Sequence, residues 1–249
     1  MAPAGEVRTR IIARRLLVAA CALLVGGCAS PSSPPGPPPG QVAPALRGVV
    51  PLLRGVRIPV YLPTRLPPMP VPGAYYYAAV QRSSDSYDLT IGVTPHPVPV
   101  NGPATLSMST TLGWITGGPP GSTGADAVAL SHFSGSPRHV ALGSGLTGDF
   151  YLNQGVTWRQ GGWRYAVRDD TGKPATVVPL LPAVRRIEAA VPAWGNPVAR
   201  GTRGWFVQSF APDGADYRIL WTARDAAYYV DGHGISGITL ARSLVRVKV

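Results

Sequence analysis

The sequence predicts an α+β fold, mainly antiparallel sheet with two short helices. From about Pro59 the chain runs in short apolar stretches punctuated by Gly, Pro and Asp, the pattern of strands joined by turns. Several stretches alternate apolar and polar residues, as Tyr87, Leu89, Ile91 and Val93 do, and such alternation lays one side-chain type on one face of a sheet. Only two segments have helical spacing. With 14% charged residues, 30 Gly and 28 Pro in 249 residues, coiled coils and long helical bundles are excluded. A hydrophobic fraction of 45% suits a buried core.

The clearest hairpin joins residues 74–80 to residues 87–93 through Arg82-Ser83-Ser84-Asp85. A second joins 156–160 to 163–168 around Gly161-Gly162, and a third joins 204–210 to 216–222 around Pro212-Asp213-Gly214. In the first helix Leu180, Val184, Ile187 and Val191 share a face, Pro179 and Pro182 suit the first turn, and Pro192 stops it. The second starts after Ser236 as an N-cap, with Ile238, Ala241 and Leu244 or Val245 inward and Arg242 and Arg246 outward. Trp, six residues, Tyr, one residue, Val occurs at Trp158, Tyr165 and Val167 and again at Trp221, Tyr228 and Val230, each time ahead of a helix. Asp216-Tyr217-Arg218-Ile219 also parallels Ser86-Tyr87-Asp88-Leu89. The pieces read as two related strand-strand-strand-helix units, residues 59–191 with an insertion at about 94–153 and residues 192–249. Chance similarity between generic strand patterns is the rival explanation.

The amino terminus carries a different message. Arg8, Arg10, Arg14 and Arg15 precede an apolar stretch at residues 16–25, of signal-peptide length and too short to span a bilayer comfortably. It ends in Val25-Gly26-Gly27-Cys28, which resembles the lipobox of bacterial lipoproteins. The resemblance implies removal of residues 1–27 and a diacylglyceryl group on Cys28; an ordinary signal peptide or an uncleaved anchor is the rival. Arg14-Arg15 only faintly resembles a twin-arginine signal, so the export route stays open. Two acyl chains cross the threshold for stable anchoring, each buried methylene contributing roughly 0.8 kcal/mol. Residues 28–58 follow as a linker, with Pro34-Pro35-Gly36-Pro37-Pro38-Pro39-Gly40 at its centre. Its proline-rich part favours polyproline II and, at about 3.1 Å per residue, spans roughly 45 Å. The expected location is the extracytoplasmic face of the cell membrane.

Both cysteines, Cys21 and Cys28, lie in this leader, so the remainder offers no disulfide, thiolate metal site or cysteine nucleophile. The formal charge of +11 comes almost entirely from arginine, with Lys173 and Lys248 the only lysines. It is spread along the chain, so nucleic acid is not expected as a partner, whereas lipid headgroups and wall polymers are available polyanions outside a cell. Arg185-Arg186, and Arg242 with Arg246, read first as the solvated sides of helices.

Catalytic patterns are scarce. The histidines are His96, His132, His139 and His233, with no HExxH spacing, and neither a metal nor a cofactor is expected. Gly143-Ser144-Gly145-Leu146-Thr147-Gly148 satisfies GxGxxG but leads into the strand-like Asp149-Phe150-Tyr151-Leu152, whereas a dinucleotide site needs a helix there. Asp169-Asp170 reads as a turn. In Asp231-Gly232-His233-Gly234 an aspartate could orient an imidazole, although the glycines equally suit a tight passage from strand to helix. Tyr75-Tyr76-Tyr77 is the place to look for an exposed binding face, because adjacent strand residues point to opposite sides.

With Pro59-Val60-Tyr61-Leu62-Pro63, Pro97-Val98-Pro99-Val100-Asn101-Gly102-Pro103 and the two Trp hairpins ahead of helices, the layout resembles a group of uncharacterised secreted lipoproteins of Gram-positive bacteria. That resemblance implies no activity and no site residues. The expectation is a lipid-anchored, non-catalytic binding or assembly module of the cell envelope, meeting a wall polymer or an envelope protein. The alternatives are a wall-acting hydrolase centred on His233 and a sensory or regulatory ectodomain.

Overall fold

The computed structural model describes residues 41–104, 106, 110–121, 132–190, 203–211, 214–223, 226–234 and 236–249. The leader with Val25, Gly26, Gly27 and Cys28, the proline-rich centre of the linker, Val191, Trp194 and the Pro212-Asp213 turn lie outside these residues.

A 3-10 helix, Pro44–Leu53, is followed by strands β1 (Val60–Pro63), β2 (Tyr75–Arg82), β3 (Tyr87–Thr94), β4 (Thr111–Gly118), β5 (Arg138–Gly143), β6 (Leu146–Tyr151), β7 (Gly155–Gln160) and β8 (Trp163–Asp169). A single 3-10 turn, Val178–Leu180, runs into helix α1 (Leu181–Ala190). Then come β9 (Arg203–Ala211), β10 (Gly214–Ala223), β11 (Ala226–His233), helix α2 (Ser236–Arg242) and β12 (Leu244–Val247). The fold is mainly sheet with few short helices. Ten strands form one sheet in the order β2-β3-β4-β11-β10-β9-β8-β7-β6-β5. All neighbours are antiparallel except β8 and β9. Parallel neighbours need a crossover connection, and α1 lies within the one between β8 and β9. Strands β1 and β12 pair separately as a short antiparallel ribbon.

Period-2 alternation gives the sheet one apolar face. Val80 on β2, Leu89 and Ile91 on β3, Ile115 on β4, Val230 on β11, Ile219 on β10, Phe206 on β9, Tyr165 on β8 and Val156 on β7 all belong to the core. This face is joined by Leu46, Val49 and Leu53 from the 3-10 helix, Val60 and Leu62 from β1, Val184 and Ile187 from α1, and Ile238, Leu240 and Ala241 from α2.

Three tyrosines seat the ribbon. The Tyr87 hydroxyl accepts the Tyr61 backbone N–H at 3.0 Å and donates to the Tyr61 carbonyl at 3.2 Å. Tyr228 donates to the Pro59 carbonyl at 3.0 Å, and its ring meets Tyr61 edge-on with centroids 4.9 Å apart. A side chain at Gly117 would collide with the Tyr87 ring, so glycine there lets the phenol lie across β4. Burial pushes the Tyr87 and Tyr228 hydroxyls well above the usual phenol range.

The three expected hairpins occur as β2–β3, β7–β8 and β9–β10, within two residues at every end. Trp158 stands opposite Tyr165 and Trp221 opposite Tyr228. Both pairs stack, with centroids 5.3 Å and 5.2 Å apart.

Three expectations need correction. Residues 44–53, assigned to the linker, fold as the 3-10 helix, because Leu46, Val49 and Leu53 reach the core and are fully buried. The second helix stops at Arg242, so Leu244 is inward from β12 and Arg246 lies on that strand. Residues 111–118, within the expected insertion, form β4, which pairs with both β3 and β11 inside the sheet.

Replacing Tyr87 by Phe leaves the part-buried N–H and carbonyl of Tyr61 without their partner. The expected loss is about 1–3 kcal/mol in urea unfolding, without change in the slope against denaturant; an unchanged midpoint would contradict the seating role.

Candidate functional site

The other face of the sheet carries the polar side chains. On β10 the core-facing residues Tyr217, Ile219 and Trp221 are buried, while Asp216, Arg218 and Leu220 between them are half-buried. Register places Asp216 opposite His233, Arg218 opposite Asp231 and Leu220 opposite Tyr229. Since directly paired residues share a face, these side chains form one line across two strands.

Their contacts are continuous. His233 Nδ1 donates to Asp216 Oδ1 at 2.9 Å. The second Asp216 oxygen lies 3.6 Å from Arg218 Nη2. Arg218 Nε donates to Asp231 Oδ2 at 3.3 Å, and the Tyr229 hydroxyl donates to that same oxygen at 2.8 Å. One guanidinium thus stands between two carboxylates, and each carboxylate holds a second donor. Burial raises the Asp231 carboxyl above its usual value of 3.8, against the opposing pull of Tyr229 and Arg218. Burial also raises the Tyr229 hydroxyl, and the Asp231 charge raises it further.

The DGHG segment therefore does two things. Asp231 and His233 lie on β11, and Gly234, with φ of 58°, makes the turn toward α2. The acid that orients His233 is Asp216 rather than Asp231, which is committed to Arg218 and Tyr229. The hairpin register that pairs Trp221 with Tyr228 also pairs Asp216 with His233, so the partner was readable once that register was extended.

Hydrolytic chemistry by a serine triad needs the imidazole between acid and nucleophile. Ser209 on β9 pairs with Asp216 on its far side from His233, and its buried hydroxyl has no hydrogen-bond partner among the described residues. The order across the strands is Ser209, Asp216, His233. With strands about 4.8 Å apart, the hydroxyl stands roughly two strand spacings from the ring, beyond transfer of a proton to it.

Tyr75, Tyr76 and Tyr77 do not form a common platform. Tyr75 is 45% exposed, Tyr76 is half-buried and donates to the Pro67 carbonyl at 2.7 Å, and Tyr77 is buried and donates to the Gly102 carbonyl at 2.9 Å. Asn101 seals the edge of β2 beside them: its side chain accepts from Val80 N and donates to Val80 O.

Gly143, Ser144 and Gly145 of the GxGxxG segment make the β5–β6 turn with positive φ, and Gly148 lies within β6. That backbone suits a hairpin and does not open a helix. His139 on β5 pairs with Asp149 on β6 at 3.2 Å, both exposed. Asp169 ends β8 and accepts the Thr171 N–H at 2.8 Å, as a turn former.

A cleft missed in the sequence lies at the rim of the same sheet. It has a volume of about 730 Å³ and is lined by Arg159 and Gly161 near the β7–β8 turn, Arg164 on β8, Trp205 on β9 and Leu220 and Thr222 on β10. The Arg164 guanidinium lies over the Trp205 ring, 4.8 Å from its centroid. Arg159 and Arg164 are directly opposite in register; strand alternation around Gly161-Gly162 was the available signal.

Comparison with protein-family models, with curated proteins and with solved structures finds no match to this chain.

The raised Asp231 carboxyl fixes the sign of a pH effect. As pH rises, the unfolded chain loses this proton before the folded one does, so the contribution to stability is full below the unfolded value and declines through the folded value. Urea midpoints measured from about pH 3 to about pH 7 should therefore shift in favour of Asp231→Asn relative to wild type as pH rises. A shift toward wild type would contradict desolvation as the dominant cause.

Proposed function

We propose that the protein is a lipid-anchored, extracytoplasmic binding module of the cell envelope, with the polar face of its ten-stranded sheet as the working surface. The observation that carries the anchor is Val25-Gly26-Gly27-Cys28 at the end of an apolar stretch. In this reading two acyl chains on Cys28 supply the attachment; among the described residues no helix is long and apolar enough to cross a membrane. The residues after Cys28, rich in proline up to about Pro44, act as the stalk.

The matching stacked pairs, Trp158 with Tyr165 and Trp221 with Tyr228, and the helix after each hairpin support descent of the two units from one ancestral piece.

Cys28→Ala tests the anchor: the variant is expected to leave the membrane fraction of the expressing cells, and unchanged fractionation would point to an uncleaved anchor instead. The His233–Asp216 pair supports a second reading, a general base acting on wall material. That reading expects solubilisation of purified wall by the wild type and a loss of 10²-fold or more in His233→Ala; equal rates for the two proteins would end it.

A further inference from the structure

We infer that the rim cleft between β7 and β10 binds a small phosphate monoester, the phosphate held by Arg159 and Arg164. This inference rests on the binding-module reading and names the ligand class of its working face.

Like charges directly opposite on antiparallel strands destabilise a sheet, and Arg159 and Arg164 are such a pair. Among the described residues neither has a carboxylate partner. The arrangement contrasts with the rest of the face, where Arg218 is shared by Asp216 and Asp231 and Arg168 is paired with Asp170. An anion that reaches both guanidinium groups would supply the counter-charge that the described residues do not.

The charge count selects the anion. A carboxylate or phosphodiester carries one negative charge, whereas a phosphate monoester carries close to two near neutral pH and offers three acceptor oxygens. Guanidinium forks engage such oxygens in paired, charge-assisted hydrogen bonds. The Arg164 guanidinium lies over the Trp205 ring, 4.8 Å from its centroid, a contact that restrains the side chain at the cleft. The cleft volume of about 730 Å³ falls in the range of small-molecule sites. Leu220 gives it an apolar wall and Thr222 a hydroxyl, suited to the remainder of the molecule. The phosphate could come from a free sugar phosphate or from a phosphatidic acid headgroup, which share this chemistry.

The test uses the full chain in detergent micelles, titrated calorimetrically with glucose 1-phosphate. Saturable one-to-one binding is expected, weakened about tenfold or more in Arg159→Ala and in Arg164→Ala. Arg185→Ala, a substitution on α1, should bind as wild type does, and glucose without phosphate should not bind. Thermal unfolding without ligand guards against misfolding: both cleft variants should keep a single cooperative transition close to the wild-type temperature. The same proteins transferred from detergent into vesicles of phosphatidylcholine with and without phosphatidic acid, and titrated again with glucose 1-phosphate, separate the sources. Competition by the phosphatidic acid vesicles alone assigns the headgroup; its absence, with glucose 1-phosphate bound, assigns the soluble ester. Lack of saturable binding to wild type, or equal weakening by Arg185→Ala, would overturn the inference. Since membrane fractionation through Cys28 is read separately, such a failure leaves the anchor reading standing.

Discussion

The Tyr87 hydroxyl occupies the position on which the architecture depends. It answers both backbone groups of Tyr61 and so holds the β1 ribbon against the sheet, with Tyr228 fixing the chain just before it at Pro59. The cost of leaving buried backbone groups unpaired exceeds the net gain of an ordinary hydrogen bond, which makes this contact more than decorative. With the ribbon in place, Val60 and Leu62 complete the core alongside the 3-10 helix and the two α-helices. One face of ten strands is thereby sealed, and the remaining polar chemistry is displayed on the other.

The displayed face is organised by register. Asp216 opposite His233 and Arg218 opposite Asp231 turn four isolated titratable residues into a chain of contacts that ends at Tyr229. Such a network fixes side chains in place because each acid is held from two sides, and partly buried charges are tolerated only when so paired. At the rim of the same face two exposed arginines, Arg159 and Arg164, stand directly opposite each other, with no carboxylate partner among the described residues. The contrast between a satisfied centre and this edge is what directs attention to the cleft.

Much of this was legible from residue patterns. Alternation located β2, β3, β7, β8, β9 and β10, since one-sided burial imposes period 2. The 3-10 helix was obscured by Pro44 and Pro51, which suggested linker, although Leu46, Val49 and Leu53 already showed the spacing of a buried face. Strand β4 was hidden by composition: Gly113 and Gly117 reduce its strand signal because a side chain there would collide with the Asp231 carbonyl or the Tyr87 ring. Strand β12 resembled a continuation of α2, because Leu244 falls where a helical face would put it. The sheet order was beyond reach, since the β4–β11 and β8–β9 pairings join segments far apart in the chain and no local pattern encodes them. The aspartate beside His233 was within reach, because the β10–β11 register that sets Trp221 opposite Tyr228 also sets Asp216 opposite His233.

Packing closes one face of the sheet and leaves large side chains on the other reachable from solvent. Hydroxyl-radical footprinting of the tryptophans, read by mass spectrometry on the native protein, tests it directly. Trp114 and Trp205, half-buried on the polar face, should be oxidised readily, while Trp158 and Trp221, buried in the core, should stay protected until the protein unfolds. Oxidation of Trp158 and Trp221 at the rate of Trp205 in the folded protein would contradict the account.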